Sequence, residues 1–208
     1  MTKDEFKLIH KILPNSNPKN EVCFAQIDFT QNVLYVTNTK TLIQINLTDD
    51  EVEMCNGVHY IHKKIINVLA QHAQKDKKYT FLNNNVLLDD IALHISTHNK
   101  QYNFKYPNMQ HILLKTYFEK QFTRRALEYI DFDTTHYDTH INSDAFKPFQ
   151  EFALYDNYRI SVKPQEKESV GMVKIEGFIN RDDNPPFKRL EAIIMGVEYT
   201  PPQPTLFG

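Results

Sequence analysis

Lys105-Tyr106-Pro107-Asn108-Met109-Gln110-His111-Ile112-Leu113 lies at the middle of a 208-residue chain, where one kind of pattern gives way to another. Before it, Ile91-Ala92-Leu93-His94-Ile95 and Tyr102-Asn103-Phe104 read as the two arms of an antiparallel hairpin. After it, residues 112 to 128 mix apolar and basic side chains in a partly helical pattern. An aromatic-proline pair at such a junction stops a strand and starts a connector, because proline fixes φ and removes a ladder donor.

Working back from this connector, residues 3 to 13 read as a short helix. At about 100° per residue, Phe6, Ile9, Ile12 and Leu13 gather on one face, and Lys3, Lys7 and Lys11 fall nearly opposite. Pro14 to Pro18 ends it. Strands are expected over Val22 to Phe29, Val33 to Thr37 and Thr41 to Leu47. A second helix is expected from Val58 to Gln74, with Val58, Ile61, Ile65, Val68 and Leu69 inward and Lys63, Asn67, Gln71 and Gln74 outward. Strands over Tyr79 to Leu82, Val86 to Ser96 and Tyr102 to Tyr106 complete the first half.

Working forward, Leu127 to Asp133 is a strand candidate. Ser143 or Asp144 can cap a helix running to Ala153 with Phe146, Phe149 and Phe152 inward, and Pro148 is tolerable only near its first turn. Tyr158 to Val162, Val170 to Ile179 and Leu190 to Tyr199 read as strands, and residues 200 to 208 as a tail.

Composition narrows the chemistry. The chain is 41% hydrophobic and 24% charged with a formal net charge of -2, ordinary globular material with no global nucleic-acid signature. Only 5 glycines are present and no phosphate-cradling glycine motif, so nucleotide-loop enzymes are disfavoured. Cys23 and Cys55 have no metal-ligand spacing and read as reduced thiols. No apolar run approaches the ~20 residues needed to cross a membrane. The N-terminal residues lack a signal-peptide pattern, so a cytoplasmic location is expected.

The connector, with its aromatic-proline-Asn-large residue order, resembles the segment that joins consecutive domains of bacterial DNA sliding clamps, the polymerase III beta subunits. Leu190-Glu191-Ala192-Ile193-Ile194-Met195-Gly196-Val197-Glu198-Tyr199 is similar to that family's final strand, and Leu34 to Leu42 to its early strand-turn-strand pattern. The resemblance implies an α+β fold of two clamp-like domains, each with helices packed on antiparallel sheet, the second truncated. Its expected bounds are residues 1–106, a connector over 107–113, a second domain over 114–200 and a flexible tail over 201–208.

The same resemblance implies a non-enzymatic processivity factor without a cofactor. It would bind or encircle duplex DNA, tether a DNA polymerase or clamp-loader protein, and assemble as a homo-oligomer, a trimeric ring if both domains are complete. Lys3, Lys7, Lys11, Lys63, Arg124 and Arg125 would meet phosphates. Tyr106, Pro107, Met109, Ile112, Met195, Val197 and Tyr199 would line a partner-peptide pocket. The bland alternative for the lysines is a solvated helix face.

Two other readings stay open. Gln203-Pro204-Thr205-Leu206-Phe207 resembles the Gln-x-x-Leu-Phe peptides that dock on bacterial clamps, so Gln203, Leu206 and Phe207 suit a non-ring adaptor. His136, Asp138 and His140 would share one face of a strand, a ligand set for a metal-dependent hydrolase, although no HExxH or CxxC accompanies it. No nucleophile motif of the GxSxG kind occurs, and a centre without catalysis or tightly bound metal is expected.

Overall fold

The computed structural model describes residues 1–15, 23–75, 77–88, 91–95, 111, 120–123, 143–151, 157–163, 171–179 and 187–196. The chain opens with α1 (Lys3–Ile12), then β1 (Phe24–Asp28), β2 (Val33–Thr37) and β3 (Thr41–Asn46). A 3-10 turn (Asp49–Glu51) leads to β4 (Val52–Glu53), β5 (Val58–His62) and α2 (Lys63–His72). Short strands β6 (Phe81–Leu82), β7 (Asn85–Leu88) and β8 (Ile91–His94) follow. The second half supplies β9 (Lys120–Thr123), α3 (Ser143–Glu151), β10 (Asn157–Lys163), β11 (Met172–Ile179) and β12 (Phe187–Met195).

Eight strands form one antiparallel sheet in the order β5-β1-β2-β3-β12-β11-β10-β9. The two halves of the chain meet within it, at β3 and β12, where Ile43 lies opposite Ala192 and Ile45 opposite Leu190. Alternation decides which face is buried. Ala25, Ile27, Leu34, Val36, Ile43, Ile45, Ile61, Ile160, Val162, Val173, Ile175, Leu190, Ala192 and Ile194 all enter one core, beneath α1, α2 and α3. The opposite face carries a small patch of Leu42 and Ile193 flanked by Tyr35 and Met172. A second sheet, β4-β6-β7-β8, is antiparallel except for the two-residue parallel pairing of β4 with β6.

Helix α1 follows its expected pattern. Thr2 and Glu5 form a capping box, with the Thr2 hydroxyl accepting from the Glu5 N–H and the Glu5 carboxylate accepting from the Thr2 N–H at 2.8 Å. Phe6, Leu8, Ile9 and Ile12 are buried. In α3, Phe146 and Phe149 are buried as expected, while Phe152 lies outside the described residues. Pro148 sits past the first turn of that helix and removes one rung of its ladder, a cost offset by the packing of the two phenylalanines.

Two elements differ from the sequence expectation. The helix expected from Val58 is a strand up to His62. Residues 58–62 pair along the whole of β1, with His59 and Ile61 inward and Val58 exposed. Ile61 and Ile65 satisfy helical and strand spacing alike over so short a run, and pairing with β1 decides between them. The strand expected from Val86 to Ser96 is two strands, β7 and β8, which pair with each other as a hairpin. The strands expected at Tyr102–Tyr106 and Leu127–Asp133 lie outside the described residues.

Between β11 and β12 the register slips at Gly177/Phe178: Gly177 lies opposite Leu190 and Phe178 opposite Lys188. Arg189 is therefore the extra residue of a β-bulge. A bulge breaks strict alternation and re-aims a side chain. Lys188 and Glu191 consequently share the outer face, where they pair at 2.8 Å, and Arg189 turns inward with Leu190.

Candidate nucleic-acid interface

Helices α1 and α2 lie side by side and antiparallel, pinned at both ends. At one end the Lys3 ammonium donates to the Gln71 carbonyl, 3.1 Å away on the last turn of α2. At the other, Lys63 opens α2 and donates to the Leu13 carbonyl at the end of α1 and to Asn15 Oδ1 at 3.0 Å. Each helix buries one stripe: Phe6, Leu8, Ile9 and Ile12 from α1, and Ile66, Leu69 and Ala70 from α2. The faces opposite these stripes are turned from the sheet.

Lys3, Lys7 and Lys11 occupy that outward face of α1. Lys3 is half-buried by its bond to Gln71, Lys7 pairs with Asp4 at 2.9 Å, and Lys11 is exposed. Lys63 is half-buried, and burial holds its ammonium below the usual lysine range. Lys64 stands nearly opposite the buried stripe of α2 and is exposed. A helix begun at Val58 puts Lys63 on its outward stripe, and the sequence expectation gives no part to Lys64. Its i, i+7 spacing with Gln71, another exposed residue, was the available signal.

Histidines mark the same end of the helix pair. His62 is the N-cap of α2: its Nδ1 accepts the Lys64 N–H at 3.0 Å, which leaves Nε2 protonated toward Cys23 Sγ at 3.7 Å. Burial, and then the Lys64 charge, push His62 below the ordinary histidine value. His10, on the last turn of α1, is lowered by burial first and then by Lys63 and Lys11.

A buried ionic knot holds α1 in place. Arg189 uses all its guanidinium donors: Nε and Nη2 on Glu5 at 2.7 and 3.0 Å, Nη1 and Nη2 on Glu51 at 2.5 and 2.8 Å, and Nη1 again on the Asn46 carbonyl. The Met1 ammonium lies 2.5 Å from Glu51 and donates to the Tyr79 carbonyl. Burial alone would raise the Glu51 carboxyl, but Arg189 and the ammonium outweigh it and hold it at about 2. Two cations and two carboxylates balance, so the knot is neutral as a whole.

Of the other expected site residues, Arg124 and Arg125 lie outside the described residues, as do Tyr106, Pro107, Met109, Ile112, Val197, Tyr199, Gln203, Leu206, Phe207, His136, Asp138 and His140. Met195 is described and is 41% exposed at the end of β12, its N–H donating to the Lys40 carbonyl at 2.8 Å. Both cysteines are free thiols. Among the described residues there is no group of three or more metal-ligating side chains, and no helix is long and apolar enough to cross a membrane.

No protein-family model matches the chain, and no curated protein is significantly similar to it. Solved structures are. The Helicobacter pylori beta clamp bound to 5-chloroisatin shares its fold at a TM-score of 0.56 and 12% identity, over 95% of this chain and 64% of that one. The DNA polymerase III beta chain of Streptococcus pneumoniae matches at 0.57 and 10% identity, over 97% and 65%. A sliding clamp of Bartonella birtlesii bound to griselimycin matches at 0.59 and 9% identity, over 98% and 65%. The H. pylori clamp has also been solved with a DNA ligase peptide. The chain thus has the mixed α+β fold of sliding-clamp domains, antiparallel sheets carrying few helices, and spans about 64% of the length of the first of these clamps.

Proposed function

We propose that this protein is a sliding-clamp-like processivity factor, without catalytic chemistry, that binds or encircles duplex DNA and tethers a replication or repair protein to it. The observation that carries the reading is the antiparallel α1/α2 pair, which buries its apolar stripes in the core and turns Lys3, Lys7, Lys11 and Lys64 away from the sheet. Ammonium groups on such a face meet phosphates and carry no base information, which suits a protein that slides. Lys63 holds the ends of the two helices together and adds to the same field, and Arg124 and Arg125 are assigned to the DNA contact with them. Residues 1–106 and 114–200 are proposed as the two clamp-like units, joined by 107–113.

A partner pocket is assigned to Tyr106, Pro107, Met109, Ile112, Met195, Val197 and Tyr199. Assembly into a homotrimer would supply six clamp-like units, and the setting would be cytoplasmic. The test is solution mass with and without duplex DNA, together with salt-dependent binding. Lys3/Lys7/Lys11→Ala is expected to weaken binding equally for any sequence and to lower the salt slope by about 0.9 per lysine removed. A folded triple variant with unchanged affinity and slope would leave the clamp fold without the DNA role.

A further inference from the structure

The α1/α2 pair is not uniformly basic, and one end of it differs in kind from the middle. In the middle, Lys7 shares its charge with Asp4 at 2.9 Å. At the end where α1 finishes and α2 begins, Lys11, Lys63 and Lys64 gather with two histidines, His10 and His62. On the α1 wheel His10 falls within about 20° of Lys3, so it borders the lysine stripe. The two histidines are not equivalent. His62 has its Nδ1 occupied by the Lys64 N–H, so protonating that nitrogen would break the cap of α2. His10 has no such duty among the hydrogen bonds of the described residues.

We propose that this end is a proton-linked phosphate contact, in which Lys11 and Lys64 engage the DNA backbone and His10 takes up a proton as the phosphate arrives. The proposal rests on the nucleic-acid reading above. Free of DNA, His10 faces cations: Lys63 from α2 and Lys11 from its own helix. Of the other elements packed on α1, β2 brings Tyr35 but no charged side chain, β12 and the 3-10 turn bring Arg189 and Glu51, which are paired in the knot around Glu5, and α3 carries Asp144 and Lys147, 3.6 Å from one another, and Glu151. A phosphate inserted among these cations reverses the local sign and favours the imidazolium. Burial, then Lys63 and Lys11, disfavour the imidazolium of free His10, and an arriving phosphate favours it, so binding and protonation at this position are linked. Affinity is then greatest at low pH and falls as pH rises through the bound-state value.

The experiment measures affinity of the full-length protein for a fluorescent duplex oligonucleotide between about pH 6 and pH 8 at fixed ionic strength. One linked proton makes log affinity rise by up to about one per unit of pH fall. His10→Gln is expected to flatten that dependence and bind weakly at the acid end. His10→Lys, with a permanent charge, is expected to bind tightly and evenly across the range. Lys64→Gln is expected to lower affinity at every pH and the salt slope by about 0.9. Wild-type affinity that does not vary with pH, or a pH dependence that survives in His10→Gln, overturns this proposal and leaves the DNA reading standing. No duplex binding at any pH removes both.

Discussion

The Arg189 guanidinium and the Glu5 carboxylate, 184 residues apart in the chain, meet through two parallel hydrogen bonds of 2.7 and 3.0 Å. One partner stands on the last described strand and the other on the first helix. Glu51 closes the same guanidinium from a third element, at 2.5 and 2.8 Å. The helix that bears Lys3, Lys7 and Lys11 is therefore held to the sheet by a bidentate charge pair as well as by its apolar stripe.

Arg189→Met is expected to destabilise the protein strongly, by about 3–5 kcal/mol, because it leaves Glu5 and Glu51 buried without their shared cation. Urea unfolding followed by circular dichroism measures it. Arg189→Met combined with Glu5→Gln and Glu51→Gln is expected to recover part of that loss, since the buried charges leave together. A single variant as stable as the wild type would show that the knot contributes nothing.

Acid should weaken the fold through the same knot. Glu51 sits at about 2 in the folded protein against 4.5 for the ordinary side chain, and Glu5 is shifted in the same direction. A depressed carboxyl contributes stability that is complete above about pH 4.5 and lost as pH falls toward about 2. Urea midpoints measured across that window are expected to fall for the wild type. In Glu51→Gln the midpoint starts lower and varies less with pH.

Ile27→Ala removes a fully buried side chain at the centre of β1. The loss of transfer energy together with the cavity left behind is expected to cost about 2–5 kcal/mol. Tyr60→Ala, one strand away, is the comparison: Tyr60 is half-buried, so its loss is expected to cost less. Thermal unfolding of the two variants reports the order, and the reverse order would contradict the assigned sheet face.

Gly57 precedes β5 with φ of +74°, and a Cβ there would meet nothing within 4 Å. Its carbonyl accepts the Phe29 N–H at 3.0 Å, which sets where β5 joins β1. Gly57→Ala is expected to cost about 1–2 kcal/mol from backbone strain alone. Gly57→Asn is expected to cost less, because asparagine tolerates the left-handed region. Equal stability of all three proteins in urea would show that the turn relaxes freely.

Local order was legible in the residues themselves. The stripe of Phe6, Ile9 and Ile12 and the alternation of Leu34/Val36, Ile43/Ile45 and Ala192/Ile194 all lie within a few positions of one another. Helical and strand periodicity therefore report them directly. The opposition of Lys3, Lys7 and Lys11 to the apolar stripe of α1 follows from the same periodicity. The likeness to clamp domains could be read from the connector and last-strand patterns, and the fold bears it out.

Tertiary structure alone decided what depends on distant partners. Val58, Tyr60 and Ile61 favour extended backbone, but the same run also fits helical spacing into α2, and pairing along β1 is what makes Val58 to His62 a strand. Arg189 turns inward because the register against β11 slips by one residue, and no local pattern in Lys188-Arg189-Leu190-Glu191 announces a slip. That Lys63 fastens the end of α1, while Lys64 faces out beside it, follows from the antiparallel approach of two helices 50 residues apart at their contact. Period and capping act over one or two turns of chain, whereas pairing, bulges and buried charge depend on which segments the whole fold brings together.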